Sequence, residues 1–210
     1  TYCTKCGLIE PTSDPKGSLG AAHSKPYPDI KDPMCLGNGA TKGLVLGTDF
    51  ITDVLLVAIR IEAPVTLVPG VLATDVALRT ISEAVTKAAC ARLELEANEL
   101  QAEYRPALTP EGRAGLEAEI YIYDTLPGGA GFAKRVGEIG LPIFEDALKL
   151  LEMCPDDCDR SCYRCLRSYK NKFEHDLLDR HLGASLLRFV LHNAAPTLSL
   201  DRVARSTDLL

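Results

Sequence analysis

No stretch of the 210 residues stays apolar for the ~20 positions that spanning a bilayer requires. The longest candidates, such as DVLLVAIRI, are broken by charge well before that length. A basic n-region followed by an apolar h-region is also missing. These absences set the expectation of a soluble, cytoplasmic chain with no membrane partner, and the opening Thr1 that of a fragment cut from something longer. There is no excess of positive charge either. With 23 Lys and Arg against 29 Asp and Glu, the net charge of −6 argues against a uniformly basic nucleic-acid coat. Catalytic signatures are absent too: no G-x-S-x-G, no H-E-x-x-H and no carboxylate pair set by context as acid and base. The chain is therefore expected not to be an enzyme on its own.

What the chain does have is enough apolar material for a core, at 46% hydrophobic residues, and eight cysteines that are unevenly placed. Residues 1 to 43 are rich in Gly, Pro, Ser and Asp, contain Cys3, Cys6, His23 and Cys35, and read as a loop pinned by something. GLVLG and TDVLLVAIRIE then read as strands, the second nearly continuously apolar from Val54 to Ile61 as in a strand covered on both faces. From Asp75 the spacing becomes helical. Leu78, Ile81, Val85 and Ala88 form one stripe, with Thr80, Glu83, Lys87 and Cys90 on the other side. Alternation at Leu100, Ala102 and Tyr104, and at Leu116, Ala118, Ile120 and Ile122, predicts two strands joined by PALTPEGRAG as a hairpin connection. A short helix after TLPGGAGF, a second from about Pro142 and a last one over about 174–191 complete the reading. The fold class expected is α+β, a small mainly antiparallel sheet packed with helices and carrying cysteine-rich metal-binding segments near both ends. Its parts are 1–43, a body at 44–195 and a polar tail at 196–210.

Cys154, Cys158, Cys162 and Cys165 follow C-x3-C-x3-C-x2-C, a spacing that lets paired thiolates reach one tetrahedral ion. Soft thiolates favour Zn2+ or an iron–sulfur cluster, and a complete four-sulfur set suits a closed structural site. Two disulfides or four free buried cysteines are the alternatives, the first needing an oxidising compartment that nothing in the sequence indicates. A second set is formed by Cys3 and Cys6 in YCTKCG together with Cys35, with His23 as the fourth candidate ligand. Cys90 reads as an ordinary packed residue.

Charge changes sign inside the first of these clusters. Residues 138–159 carry seven acids against one lysine, and residues 160–192 carry seven Lys or Arg against three acids. Arg160, Arg164, Arg167, Lys170 and Lys172, interleaved with Tyr163, Tyr169 and Phe173, are the candidate nucleic-acid contacts, since cations neutralise phosphates and rings stack bases. A solvated face balancing the acidic helix before it is the alternative. DTLPGGAGF could offer helix N-terminal N–H groups to an anion. It lacks the Lys and Ser/Thr of a phosphate loop and the spacing of G-x-G-x-x-G, so a tight glycine turn is the preferred reading. His175 and His181, six apart, would point to opposite faces of one helix.

YDTLPGGAGF, the cluster ending CYRCLRSYKN, and HDLLDRHL together resemble the MrfA-type zinc-binding domain that accompanies superfamily 2 DNA helicases. YCTKCG with LGTDFITDVLLV is similar to the longer version of that domain in DrmB, the helicase companion of the DISARM anti-phage system. The resemblance implies zinc on Cys154, Cys158, Cys162 and Cys165. It also implies ATP hydrolysis supplied by a helicase in the same chain or a companion subunit, and a role at DNA in defence or repair. In helicase-fused members the first two cysteines stand closer than they do here, which points toward the stand-alone companions. A scaffold that docks a helicase without touching DNA is the other reading.

Overall fold

The computed structural model describes residues 1–10, 19–29, 31–41, 47, 49–106, 115–197 and 200. The chain separates into two compact units, Thr1–Asp49 and Phe50–Leu210. The expected strand at GLVLG, most of the hairpin connection PALTPEGRAG and most of the polar tail after Pro196 lie outside the described residues.

In the first unit, β1 (Tyr2–Cys3) pairs antiparallel with β4 (Ala40–Thr41), and β2 (His23–Asp29) pairs antiparallel with β3 (Asp32–Cys35). The β2/β3 register sets His23 opposite Cys35. Among the described residues, the buried apolar interior of this unit is Cys3, Leu19 and Cys35, with Cys6 and Leu8 partly buried against them. Burial of so few described side chains contributes little against the chain entropy of this unit.

The second unit is built on a three-stranded antiparallel sheet in the order β5 (Val54–Arg60), β7 (Glu117–Asp124), β6 (Leu100–Pro106). Ala118, Ile120, Ile122 and Asp124 alternate inward along β7, as period-two patterning requires. Helix α1 (Leu72–Leu93) packs on β6 and β7, and α2 (Phe132–Ile139) on β5 and β7. Helices α3 (Leu141–Glu152) and α4 (Arg180–His192) pack on α1 and on each other.

Residues 1–43 are not loop throughout, since β1 pairs with β4 and β2 with β3, and three further readings of the sequence change here. First, β5 is an edge strand whose Ile59 is buried while Val54 and Leu56 stand half exposed, so it is not covered on both faces. Second, α1 is buried on its polar side as well: Thr80 is fully inaccessible, because α4 closes over it. Gly183 of α4 lies so close that a Cβ there would come within 2.5 Å of Thr80 Cγ2, and the Asp179 N–H donates to Thr80 Oγ1 at 2.9 Å. Third, the last helix does not run from 174. Lys172–Leu177 is a 3-10 turn, and α4 starts after Asp179, whose carboxylate caps it by accepting from the His181 and Leu182 N–H groups. His175 and His181 therefore belong to different elements rather than to two faces of one helix.

The glycine turn between β7 and α2 supplies its own anion. Asp124, fully buried, accepts from the N–H groups of Ala130, Phe132 and Ala133 at 2.6, 3.0 and 2.7 Å, while Asp53 accepts from Gly131 at 3.0 Å. Gly129, at φ +76°, could not carry a Cβ without meeting the Asp53 carboxylate. The helix N-terminal donors are thus already used, and the turn is a structural joint. Asp124→Ala leaves three N–H groups without their acceptor and should cost about 3 kcal/mol of stability in chemical denaturation. A change within ~0.5 kcal/mol would show that the joint holds without it.

Candidate metal centres

The four C-terminal cysteines converge because α3 ends just before them and the chain then turns on itself twice. Asp157 N–H returns to Cys154 O at 3.0 Å, and the N–H groups of Cys165, Leu166 and Arg167 all turn back to Cys162 O. Sulfur separations are 3.7 Å for Cys154 to Cys158, 3.5 Å for Cys154 to Cys162, 3.6 Å for Cys158 to Cys165 and 3.7 Å for Cys162 to Cys165. A tetrahedron with zinc–sulfur bonds of about 2.3 Å has edges of about 3.8 Å, so the donor set fits one ion. These separations are far beyond a disulfide bond, and all four thiols are free.

The N-terminal set converges as well. Cys3, Cys6, His23 and Cys35 offer ligand atoms within 4.8 Å of one another, with Cys3 and Cys35 sulfurs 3.8 Å apart and Cys6 Sγ 3.2 Å from His23 Nε2. Cys3 and Cys6 sit on a knuckle closed by Gly7 N–H to Cys3 O at 2.9 Å, with Gly7 at φ +80°. His23 Nδ1 lies 2.8 Å from Ala21 O, which fixes Nδ1 as the protonated nitrogen and leaves Nε2 free to ligate.

Without an ion neither cluster can carry its full charge. The backbone N–H of Lys5 lowers the Cys3 thiol to about 6. Burial raises Cys154, but donation from the Cys158 and Asp156 N–H groups outweighs it and brings the thiol to about 7. Burial, then neighbouring sulfurs, push Cys158 and Cys162 up, and burial likewise raises Cys6. Cys3 and Cys154 take negative charge readily while Cys6, Cys158 and Cys162 resist it, a conflict that a bound cation removes.

Two cations outside the ligand set hold the larger cluster, and neither was singled out from the sequence. Arg180, 5% exposed, donates through Nε to Cys158 O at 2.6 Å, through Nη1 to Leu151 O and Glu152 O, and through Nη2 to Asp157. Lys87 of α1 donates to Cys165 O at 2.9 Å and Arg167 O at 3.2 Å. Burial lowers the Lys87 pKa, while Glu83 and the thiolates of Cys165 and Cys162 act to raise it. The signals available in sequence were a lysine on the metal-side face of α1 and an arginine inside HDLLDRHL. Cys90 is buried in the same core, and burial raises its thiol.

The basic run divides. Arg160 lies 3.7 Å from Asp179 and donates to Asp176 O, Arg164 lies 3.8 Å from Asp156, and Arg167 donates to Ser161 Oγ at 2.9 Å. Lys170 and Lys172 are exposed, beside exposed Tyr169 and Phe173. Arg164 and Lys170 also line a cavity of about 1060 Å³ with Lys87, Gln101 and Asn171.

Residues 81–166 match the family model of the MrfA Zn-binding domain. That segment runs from α1 to the last cysteines and contains the whole 154–165 cluster. The chain is also 36% identical over 206 residues to Druantia protein DruE of Escherichia coli (strain UMEA 4076-1), an alignment taking in 93% of this chain and 11% of that protein. The chain thus spans about a tenth of the curated relative it matches. Two crystal structures of the helicase MrfA are similar. One, bound to DNA, has a TM-score of 0.39 at 22% identity over 55% of this chain and 14% of its own. The other, bound to DNA and AMPPNP, has 0.35 at 25% identity over 49% and 14%. The family-level resemblance is therefore found, and the cofactor of this domain family is zinc. The finer likeness to DrmB of DISARM rests on the motifs alone. No helix among the described residues is long and apolar enough to cross a membrane.

If Arg180 holds the cluster as its contacts indicate, Arg180→Met should speed zinc transfer to a competing chelator about 10-fold or more. An unchanged transfer rate would remove Arg180 from metal retention.

Proposed function

We propose that the chain is a non-catalytic zinc-binding module that assists a superfamily 2 DNA helicase or translocase, in the same chain or a companion subunit, in anti-phage defence or DNA repair. In this reading Cys154, Cys158, Cys162 and Cys165 bind one zinc, and Cys3, Cys6, His23 and Cys35 bind another. Bound zinc neutralises the thiolates and fixes both turns, and a closed four-ligand site leaves no position for substrate. Elemental analysis of the purified chain should give near two zincs per molecule, and fewer than one would overturn the ligand assignment.

DNA contact is carried by one observation: the loop leaving Cys165 projects Lys170 and Lys172 into solvent beside exposed rings. Arg160 and Arg164 face carboxylates of the protein, whereas Lys172 lies against the Tyr169 and Phe173 rings, so the two lysines are the better phosphate contacts. Lys170→Glu with Lys172→Glu should weaken DNA binding and reduce the salt slope by about 1 to 2. Unaltered affinity and slope would refute DNA contact at this loop.

Helicase docking is supported by a separate observation. Val54 and Leu56 on the outer face of edge strand β5, with Ile51 and Phe50 beside them, are exposed at 55%, 51%, 88% and 45%. An apolar corner of this kind, on a face whose neighbouring strands carry Gln101, Glu103, Arg105 and Glu119, is a surface a motor domain would cover. Leu56→Asp should abolish co-purification with the helicase while DNA affinity and zinc content stay unchanged, and retained co-purification would count against docking there.

A further inference from the structure

The segment between Cys165 and α4 keeps large apolar surface in water while its backbone is tightly held. Tyr163, Tyr169 and Phe173 are 68%, 78% and 89% exposed. The anchors between and around them are buried. Asn171, 3% exposed, accepts from the Ser168 N–H at 2.8 Å and donates to Glu83 Oε2 and Leu166 O, each at 3.0 Å. Glu174 pairs with the buried Arg79 of α1, and Cys165 lies in the metal cluster. With these positions fixed, the rings cannot fold inward, so their exposure is imposed by the scaffold.

The rings are organised around one cation. Lys172 Nζ sits 4.3 Å from the Tyr169 ring centroid and 4.9 Å from that of Phe173, and donates to Tyr169 Oη at 3.1 Å. Tyr163 is packed edge-on against His175 at 5.6 Å. Three nearby acids are paired elsewhere, Glu174 with Arg79, Glu83 with Arg79 and Asn171, and Asp156 with Arg164, while Asp176 is exposed on the same turn. A π-face next to an ammonium, with a second lysine one residue beyond Tyr169, suits a planar ring attached to a phosphate.

We infer that Tyr169 and Phe173, with Lys172 between them and Lys170 alongside, form a stacking platform for unpaired bases of single-stranded DNA, without sequence preference. This rests on the DNA-binding reading above and specifies its ligand. Bases within a duplex present no free face, so the rings discriminate strandedness, while the lysines contact phosphates in either form.

The test is fluorescence anisotropy with a labelled oligo-dT and a blunt hairpin duplex, using the full chain. Tyr169→Ala with Phe173→Ala should weaken oligo-dT binding about 10-fold or more, leave hairpin binding within about 2-fold, and keep the wild-type salt slope. Tyr169→Leu with Phe173→Leu, which retains apolar bulk, should show the same loss. Unchanged zinc content verifies that either variant is folded. Equal losses on oligo-dT and hairpin, or no loss on either, overturn the platform while leaving DNA contact by the lysines standing. Loss of helicase co-purification with oligo-dT affinity intact overturns it in favour of a protein contact. A wild-type chain that binds neither probe refutes the platform together with the DNA-binding reading.

Discussion

Mutual repulsion among closely held sulfurs is the constraint around which this protein is arranged. Four thiolates about one Zn2+ leave a net charge of about −2, and the surrounding chain must tolerate it at low dielectric. Arg180 and Lys87 answer this from opposite sides. One comes from the helix that follows the cluster and the other from the central helix, and both donate to carbonyls of the turns that carry the cysteines. The same contacts clamp α1, α3 and α4 around the cluster. Metal retention and helix packing are thereby a single problem, and the polar side of α1 is buried because the metal loop and α4 must lie on it.

The two units use metal differently. In Phe50–Leu210 an extensive apolar core already exists, running from Ile59 through α1 to Phe189, and the cluster adds a rigid corner to it. In Thr1–Asp49 the described interior is little more than the ligands and Leu19. There a bound ion would be the core, and its binding would be folding free energy in the sense known for small zinc modules. The His23 tautomer fixed by Ala21 O shows the site prepared beyond its four ligand atoms.

Much of this was legible in the sequence, and the parts that were not share a cause. The alternation in β7 and the cysteine spacing are local patterns, and the strand and the converging cysteine clusters appear in the structure at those positions. What failed depended on neighbours distant in sequence. A continuous apolar run could not reveal that β5 lies at a sheet edge with one face open. The leucines of the last helix could not reveal that Asp179 restarts it. Arg180, Asn171 and Asp124 each lie inside a motif that carried the family resemblance, yet their tasks, holding carbonyls, pinning a loop and satisfying a helix start, appear only with the fold.

That division bears on where function can lie. The polar residues of YDTLPGGAGF and HDLLDRHL are largely consumed in building the scaffold: Asp124 fills the anion position of the glycine turn and Asp179 caps α4. CYRCLRSYKN differs. Its cysteines and Asn171 point inward, whereas Tyr163, Tyr169 and Lys170 point outward from the same ten residues. A metal turn is a good mount for such side chains, since fixing the backbone removes the entropy cost of presenting them to a ligand. The apolar face of β5 has no metal behind it and is built by strand alternation alone. Two exposed surfaces of unlike chemistry, one aromatic and cationic and one aliphatic, suit ligands of unlike kind, so contact with nucleic acid and contact with a motor need not compete for the same residues.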